Sequence, residues 1–324
     1  MATLIDFLPM MASQQIGFQS LERTPEPSPV MDGTANVAQY DRVMGTKLAL
    51  AYAVVLEMLH RASADAPAGT AIDLAAGPGH FTLCLSRYLG YSKVVGTDLS
   101  PTMVDTAREN AAKQGLDDRV EFRQGDVREL GQVPSGQFNL SSFTGAAHHM
   151  PDLASVRGVL LEMDRITKPE GLVMVMDLVR LRTAKLTDRY VGTVGRDYVE
   201  RGLPDFFDDF RDSMYAAWTA SELHGAIPSE SERYWCQIVP RGLPTMQVFL
   251  GLPVGRKRAF VRSGFPWGTA DHPVAQEMRG EWNLLRMTMR FASRRFVAPP
   301  SSLARPALAR FIGALRLAMP GRAG

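Results

Sequence analysis

An α/β fold built on a seven-stranded, mostly parallel sheet with helices on both faces is predicted by three observations. Strands and helices alternate from Thr70 onward, a glycine-rich turn sits at the first junction from strand to helix, and two apolar runs near residue 240 follow each other with no helix between them. A helical insertion before that last hairpin and a helical C-terminal extension complete the expectation.

The alternation reads TAIDLAA, HFTLCLSRYL, KVVGTDL, PTMVDTARENAAKQ, VEFRQGD, QFNLSSF, ASVRGVLLEMDRIT and GLVMVMDLV. Each short apolar run suits a strand buried on both faces, and the proline of PTMV stands where helices accept one, at their first position. Ahead of Thr70, the proline-free segment from Asn36 to Arg61 has helical spacing and predicts one or two helices. Residues 21–33, LERTPEPSPVMDG, are rich in proline and polar groups and read as a linker. The expected organisation is a mobile leader over 1–33, one domain over 34–253 with an inserted lid at about 180–228, and a basic helical extension over 254–324. YWCQIVP and MQVFLGL are expected to pair as the closing hairpin.

A length of 324 residues with 45% hydrophobic residues supports a sizeable core. Cys84 and Cys236 lie far apart and outside any paired spacing, so no disulfide framework or metal site is expected, and a cytoplasmic, reducing environment fits. The first twenty residues contain no Lys or Arg, unlike a secretory signal, and no run approaches the roughly 18 uncharged apolar residues of a membrane span. The net charge of +2 conceals an asymmetry: 13 basic against 3 acidic residues from Val254 on, 23 against 31 before it. Such a tail suits contact with the acidic body or weak contact with an anionic membrane surface, whereas the acidic body disfavours an extended nucleic-acid interface. No oligomeric state is signalled.

The turn itself, TAIDLAAGPGHFT, narrows the cofactor. In a parallel sheet a glycine-rich turn lets backbone approach a ligand beyond the strand ends. A dinucleotide site wants GxGxxG, but from Gly77 the sequence gives G-P-G-H-F-T, with Thr82 in place of the third glycine. An acid, Asp73, stands inside the turn. The run D-L-A-A-G-P-G from Asp73 to Gly79 resembles the first motif of class I S-adenosylmethionine-dependent methyltransferases, with Ala75 replacing the first glycine. VVGTDLS ending at Asp98, VEFRQGDV with Gly125 and Asp126, FNLSSFTGAAHHMPD, and DRITKPEGLVMVMDL resemble the following motifs in order. The resemblance implies a Rossmann-like fold and S-adenosylmethionine as cofactor, held by Asp73, Ala75, Gly77, Gly79, Asp98, Leu99, Met103, Gly125, Asp126, Val127 and Thr144. Tyr40 of the N-terminal helix is a candidate to close the site from the other side.

Methyl transfer is an in-line displacement, so the enzyme aligns the acceptor and adds a base only where the acceptor carries a proton. His148, His149 and Asp177 are the candidate catalytic residues, at the ends of the fourth and fifth strands. Arg180 and Arg182 are candidates to hold an anionic group of the substrate, and Tyr215 and Trp218, within an aromatic-rich insertion, to line an apolar pocket. A small, largely apolar metabolite of specialised metabolism is the expected substrate. A weaker resemblance, in AHHMPD, MDRITKP and MDLVRL, points to bacterial methyltransferases that act on prenyl diphosphates. Two alternatives are O-methylation of a polyketide or phenol, and a non-catalytic scaffold or nucleic-acid binder of the same fold.

Overall fold

The computed structural model describes residues 4–28, 30–45, 49–62, 69–253, 283, 285, 288, 289 and 291–300. Strands β1 (Thr70–Leu74), β2 (Lys93–Asp98), β3 (Val120–Gln124), β4 (Phe138–Thr144) and β5 (Thr167–Leu178) pair in parallel in the order β3-β2-β1-β4-β5. β1 pairs with β2 on one side and β4 on the other, so the direction of winding reverses there. That reversal opens a crevice beyond the carboxyl ends of the two strands. The hairpin β6 (Tyr234–Val239) and β7 (Met246–Leu252) extends the sheet through an antiparallel β5–β7 pairing, as the sequence led us to expect.

An eighth strand, β8 (Ser293–Val297), corrects the expected count of seven: it pairs antiparallel with β6, Trp235 opposite Val297 and Val239 opposite Ser293. The basic extension is expected to be helical, but β6 offers an unpaired row of N–H and C=O groups, and that edge overrides the local pattern. The amphipathic stretch ARPALARFIGALRLAM, part of the expected helical extension, lies outside the described residues.

Side chains alternate across the sheet, which divides the core in two. On one face Ala71, Val94 and Met174 meet Tyr52 and Leu59 of α3 (Ala49–Ala62), Phe81 of α4 (His80–Leu89) and Val104 of α5 (Pro101–Lys113). On the other, Ile72, Leu74 and Val173 meet Val156, Leu160 and Met163 of α6 (Leu153–Ile166). Arg233 locks the near end of β5: it pairs with Asp164 at 2.5 Å and donates to the carbonyls of Gly171, Thr167 and Lys168.

The segments outside this layered core cover its carboxyl edge. The insertion forms α7 (Ala184–Glu200), α8 (Pro204–Ala216), with proline in its first turn, and α9 (Ala220–Gly225), started by a Thr219/Glu222 capping box. The leader, expected to be mobile, forms α1 (Leu4–Ile16) and then an extended strap. Met10 of α1 is fully buried among Leu181, Leu186, Val191 and Met214, and the amides of Ser20 and Leu21 donate to the Arg182 carbonyl at 2.8 and 3.0 Å. α2 (Thr34–Met44) follows and packs on α8 through Tyr40 and Phe206, whose ring centroids lie 5.8 Å apart.

Candidate active site

The glycine-rich turn folds around two carboxylates. Asp73, fully buried at the end of β1, accepts hydroxyl hydrogen bonds from Thr82 at 2.6 Å and Ser142 at 2.7 Å. Burial pushes its carboxyl up to about 6 despite those two donors. Ala75 holds the left-handed conformation (φ 52°), where a side chain is strained and a glycine is not. Gly77 and Gly79 are left-handed as well, and a Cβ on Gly79 would lie 2.5 Å from the Phe122 ring. Glycine is required there by close packing of α4 against β3.

Asp98, at the end of β2, accepts from the Gly77 amide (Oδ2, 2.7 Å) and the Ser100 amide (Oδ1, 2.9 Å). Each oxygen thus commits one lone pair to the turn and keeps another. Burial raises this carboxyl, and the backbone donors and the charge of His149 oppose the rise. Leu99 beside it is exposed for a large apolar residue, while Met103, Val127 and Thr144 are buried around the crevice. The Gly125 amide donates to the Asp98 carbonyl and joins β3 to this end of β2. Asp126 turns elsewhere: both its oxygens are taken by Arg128.

Across the crevice, the turn after β4 presents His148 and His149. Trp218 pins this turn by donating from Nε1 to the Ala147 carbonyl at 2.8 Å. His148 Nδ1 and Asp177 Oδ1 are 2.6 Å apart, both side chains buried, and Asp177 Oδ2 is buried without a hydrogen-bond partner among the described residues. Glu26 of the leader strap completes the cluster: Oε1 is 3.4 Å from His148 Nε2 and accepts from Ser213, and Oε2 is 2.7 Å from His149 Nδ1. Burial disfavours an imidazolium at His148, but Asp177 and Glu26 outweigh it and push the group up to about 9. At neutral pH it keeps its proton. Asp209 of α8 faces the same group; burial and the Glu26 charge push its carboxyl up to about 7. Tyr40 shares the field of Asp209, Asp98, Glu26 and Asp177, and its phenol is shifted upward chiefly by burial.

His148, His149 and Asp177 therefore stand together, facing Asp98 and Tyr40. Arg180 and Arg182 do not join them. The Arg180 guanidinium is buried and donates to the Leu21 and Ala217 carbonyls and to Glu222, and Arg182 donates to the Gly17 carbonyl. Both hold the strap, so neither offers the free cation that an anionic substrate group needs. Tyr215 likewise donates to Asp188 on the neighbouring helix. Sequence reading missed Glu26, Asp209 and Arg23. The Arg23 guanidinium stacks 3.8 Å over Trp218 and donates to the carbonyls of His148, Met150, Pro151 and Ala216. For the strap, the available signal was that Arg23 and Glu26 stand among the prolines of the leader.

Residues 71–171 match a family model described as a methyltransferase domain. A ubiquinone biosynthesis O-methyltransferase of Methylococcus capsulatus is 30% identical over 152 residues, which cover 46% of this chain and 60% of that protein. A demethylmenaquinone methyltransferase of Lactobacillus johnsonii is 30% identical over 33% of this chain and 43% of its own length. The chain thus spans about half the length of these relatives. A solved SAM-dependent methyltransferase of Aquifex aeolicus is similar in fold, with a TM-score of 0.50 at 16% identity, over 69% of this chain and 100% of that one.

Proposed function

We propose that this chain, whose residues 71–171 match a methyltransferase-domain family model, transfers the methyl group of S-adenosylmethionine to an oxygen of a small, largely apolar metabolite. One observation carries this reading: the cofactor turn with Asp98 and the His148, Asp177 and Glu26 cluster face each other across the crevice between β1 and β4.

The residues of the crevice fit the cofactor. Asp98 keeps acceptor capacity for the two ribose hydroxyls, Leu99 and Val127 provide apolar surface for a purine, and the surplus of carboxylates suits a ligand that carries an ammonium and a sulfonium. When bound, S-adenosylmethionine supplies the activated methyl group. The chain aligns the acceptor: Tyr40, Phe206, Tyr198 and Phe210 form an edge-to-face and tilted aromatic group at the lid. Glu26 accepts a hydrogen bond from the acceptor hydroxyl and takes its proton as the oxygen gains the methyl group, and Asp177 fixes the His148 ring behind it. The strap and lid exclude water.

An oxygen acceptor is favoured over a prenyl diphosphate because Arg180 and Arg182 are committed to backbone carbonyls while the acceptor side is acidic. The names of the relatives above support phenolic compounds as first candidates. The test is calorimetric titration with S-adenosylmethionine, followed by transfer of a labelled methyl group to a panel of phenols and prenyl diphosphates. Cofactor binding with labelled phenol ethers supports the reading; labelling of the diphosphates alone overturns the choice of acceptor.

A further inference from the structure

We propose that Glu26, His148 and His149 form a binding site for one divalent first-row transition-metal ion, held by two imidazoles and a carboxylate. One ligand atom from each residue lies within 4.8 Å of the others. The separations that matter are shorter: 3.4 Å from His148 Nε2 to Glu26 Oε1, and 2.7 Å from His149 Nδ1 to Glu26 Oε2. Donor atoms about 2.0–2.2 Å from a shared ion stand about 2.9–3.5 Å from one another in octahedral or tetrahedral geometry, a spacing the His148–Glu26 contact already has and the three residues reach by closing in from at most 4.8 Å.

Two further observations point to a shared ion and not to a simple ion pair. His149 Nδ1 is buried, meets no hydrogen-bond partner of suitable geometry among the described residues, and stands 2.7 Å from Glu26 Oε2, so it is available to a cation held there. His148 has the arrangement of a metal-bound imidazole, with its Nδ1 on a buried carboxylate, Asp177, and its Nε2 directed at the cluster. Ser213 in turn fixes Glu26. An ion bound here replaces the proton at His148 Nε2, and with Glu26 as its ligand the ion takes over from Glu26 the polarising of an acceptor oxygen.

Two histidines and one carboxylate suit Zn²⁺, Co²⁺, Fe²⁺ or Mn²⁺ better than Mg²⁺ or Ca²⁺, which prefer all-oxygen sites. Three protein donors leave one or more positions for an oxygen ligand on the side of Asp98 and Tyr40. The site also joins two parts of the chain that sequence separates widely, since Glu26 comes from the leader strap and the histidines from the turn after β4. An ion there clips the strap onto the domain.

The test is direct and independent of methyl transfer. The full-length, tag-free chain is stripped with chelator and titrated with Co²⁺, and the visible ligand-field absorption is recorded. Saturation at one Co²⁺ per chain, displaced by Zn²⁺, is expected. Glu26→Ala and His149→Ala should abolish the band, and Asp177→Asn should weaken binding about 10- to 100-fold. Far-UV circular dichroism of each variant checks folding, and Glu26→Gln, on the strap outside the core, serves where another variant fails that check. Absence of a band in the unaltered chain, or a band that persists in Glu26→Ala and Glu26→Gln, overturns the proposal.

Discussion

Thr82 donates its hydroxyl to Asp73 at 2.6 Å, from the first turn of α4 back to the end of β1. The residue that breaks the dinucleotide fingerprint is thereby the one that holds the acid of the turn. Removing the hydroxyl leaves a buried carboxylate with one donor fewer. Thr82→Val should cost about 1–3 kcal/mol in chemical denaturation, and Thr82→Ser should retain most of the stability.

Asp73 also sets a pH dependence. Its folded carboxyl titrates at about 6 and an unfolded one at 3.8, so between these values the folded state binds more protons and stability falls as pH rises. The loss is complete above about pH 6 and amounts to ~3 kcal/mol at most. Thermal unfolding of Asp73→Asn should show a flatter profile between pH 4 and 6.5 than the unaltered chain. Parallel profiles would refute the assignment.

Asp98→Asn, which keeps one side-chain oxygen for the amides of the turn, should weaken calorimetric binding of S-adenosylmethionine and of its demethylated product far more than it lowers stability. Gly79→Ala should instead lower stability by about 1–3 kcal/mol, since its Cβ meets Phe122 and its φ is 82°. The pair separates a binding role from a packing role within one turn.

The strap depends on Arg23. Arg23→Ala removes a guanidinium that reaches four backbone carbonyls and stacks on Trp218. The strap should then be cut by chymotrypsin after Leu21 at least tenfold faster, with cofactor affinity unchanged within about twofold. Equal cleavage rates would show that Arg180 and Arg182 hold the strap alone.

The sheet and the cofactor turn were legible because their signals are local. Apolar runs of strand length alternate with helices, and the Asp73 to Gly79 spacing reflects turn geometry; even the replacement at Ala75 marked a left-handed position. The acceptor side was legible only in part. His148, His149 and Asp177 follow strands and could be placed at the crevice, but Glu26 and Asp209 arrive from the leader and the insertion, and nothing local to them indicates that destination. Arg180 and Arg182 misled because a cation's sequence neighbours do not disclose carbonyl partners, here the strap itself. β8 was read as helix because its partner edge lies more than fifty residues away.

That last strand has a consequence for handling the protein in solution. β6 carries Trp235, Cys236 and Ile238, all fully buried, and β8 covers its outer backbone. β8 itself faces outward with Arg294 and Arg295, two exposed like charges on the rim of the sheet. Those charges discourage a second molecule from adding its own strand there. A chain shortened after Leu252 would keep every residue of the cofactor turn and yet expose a bare apolar rim, and its failure would be seen as precipitation on concentrating, before any loss of catalysis could be measured.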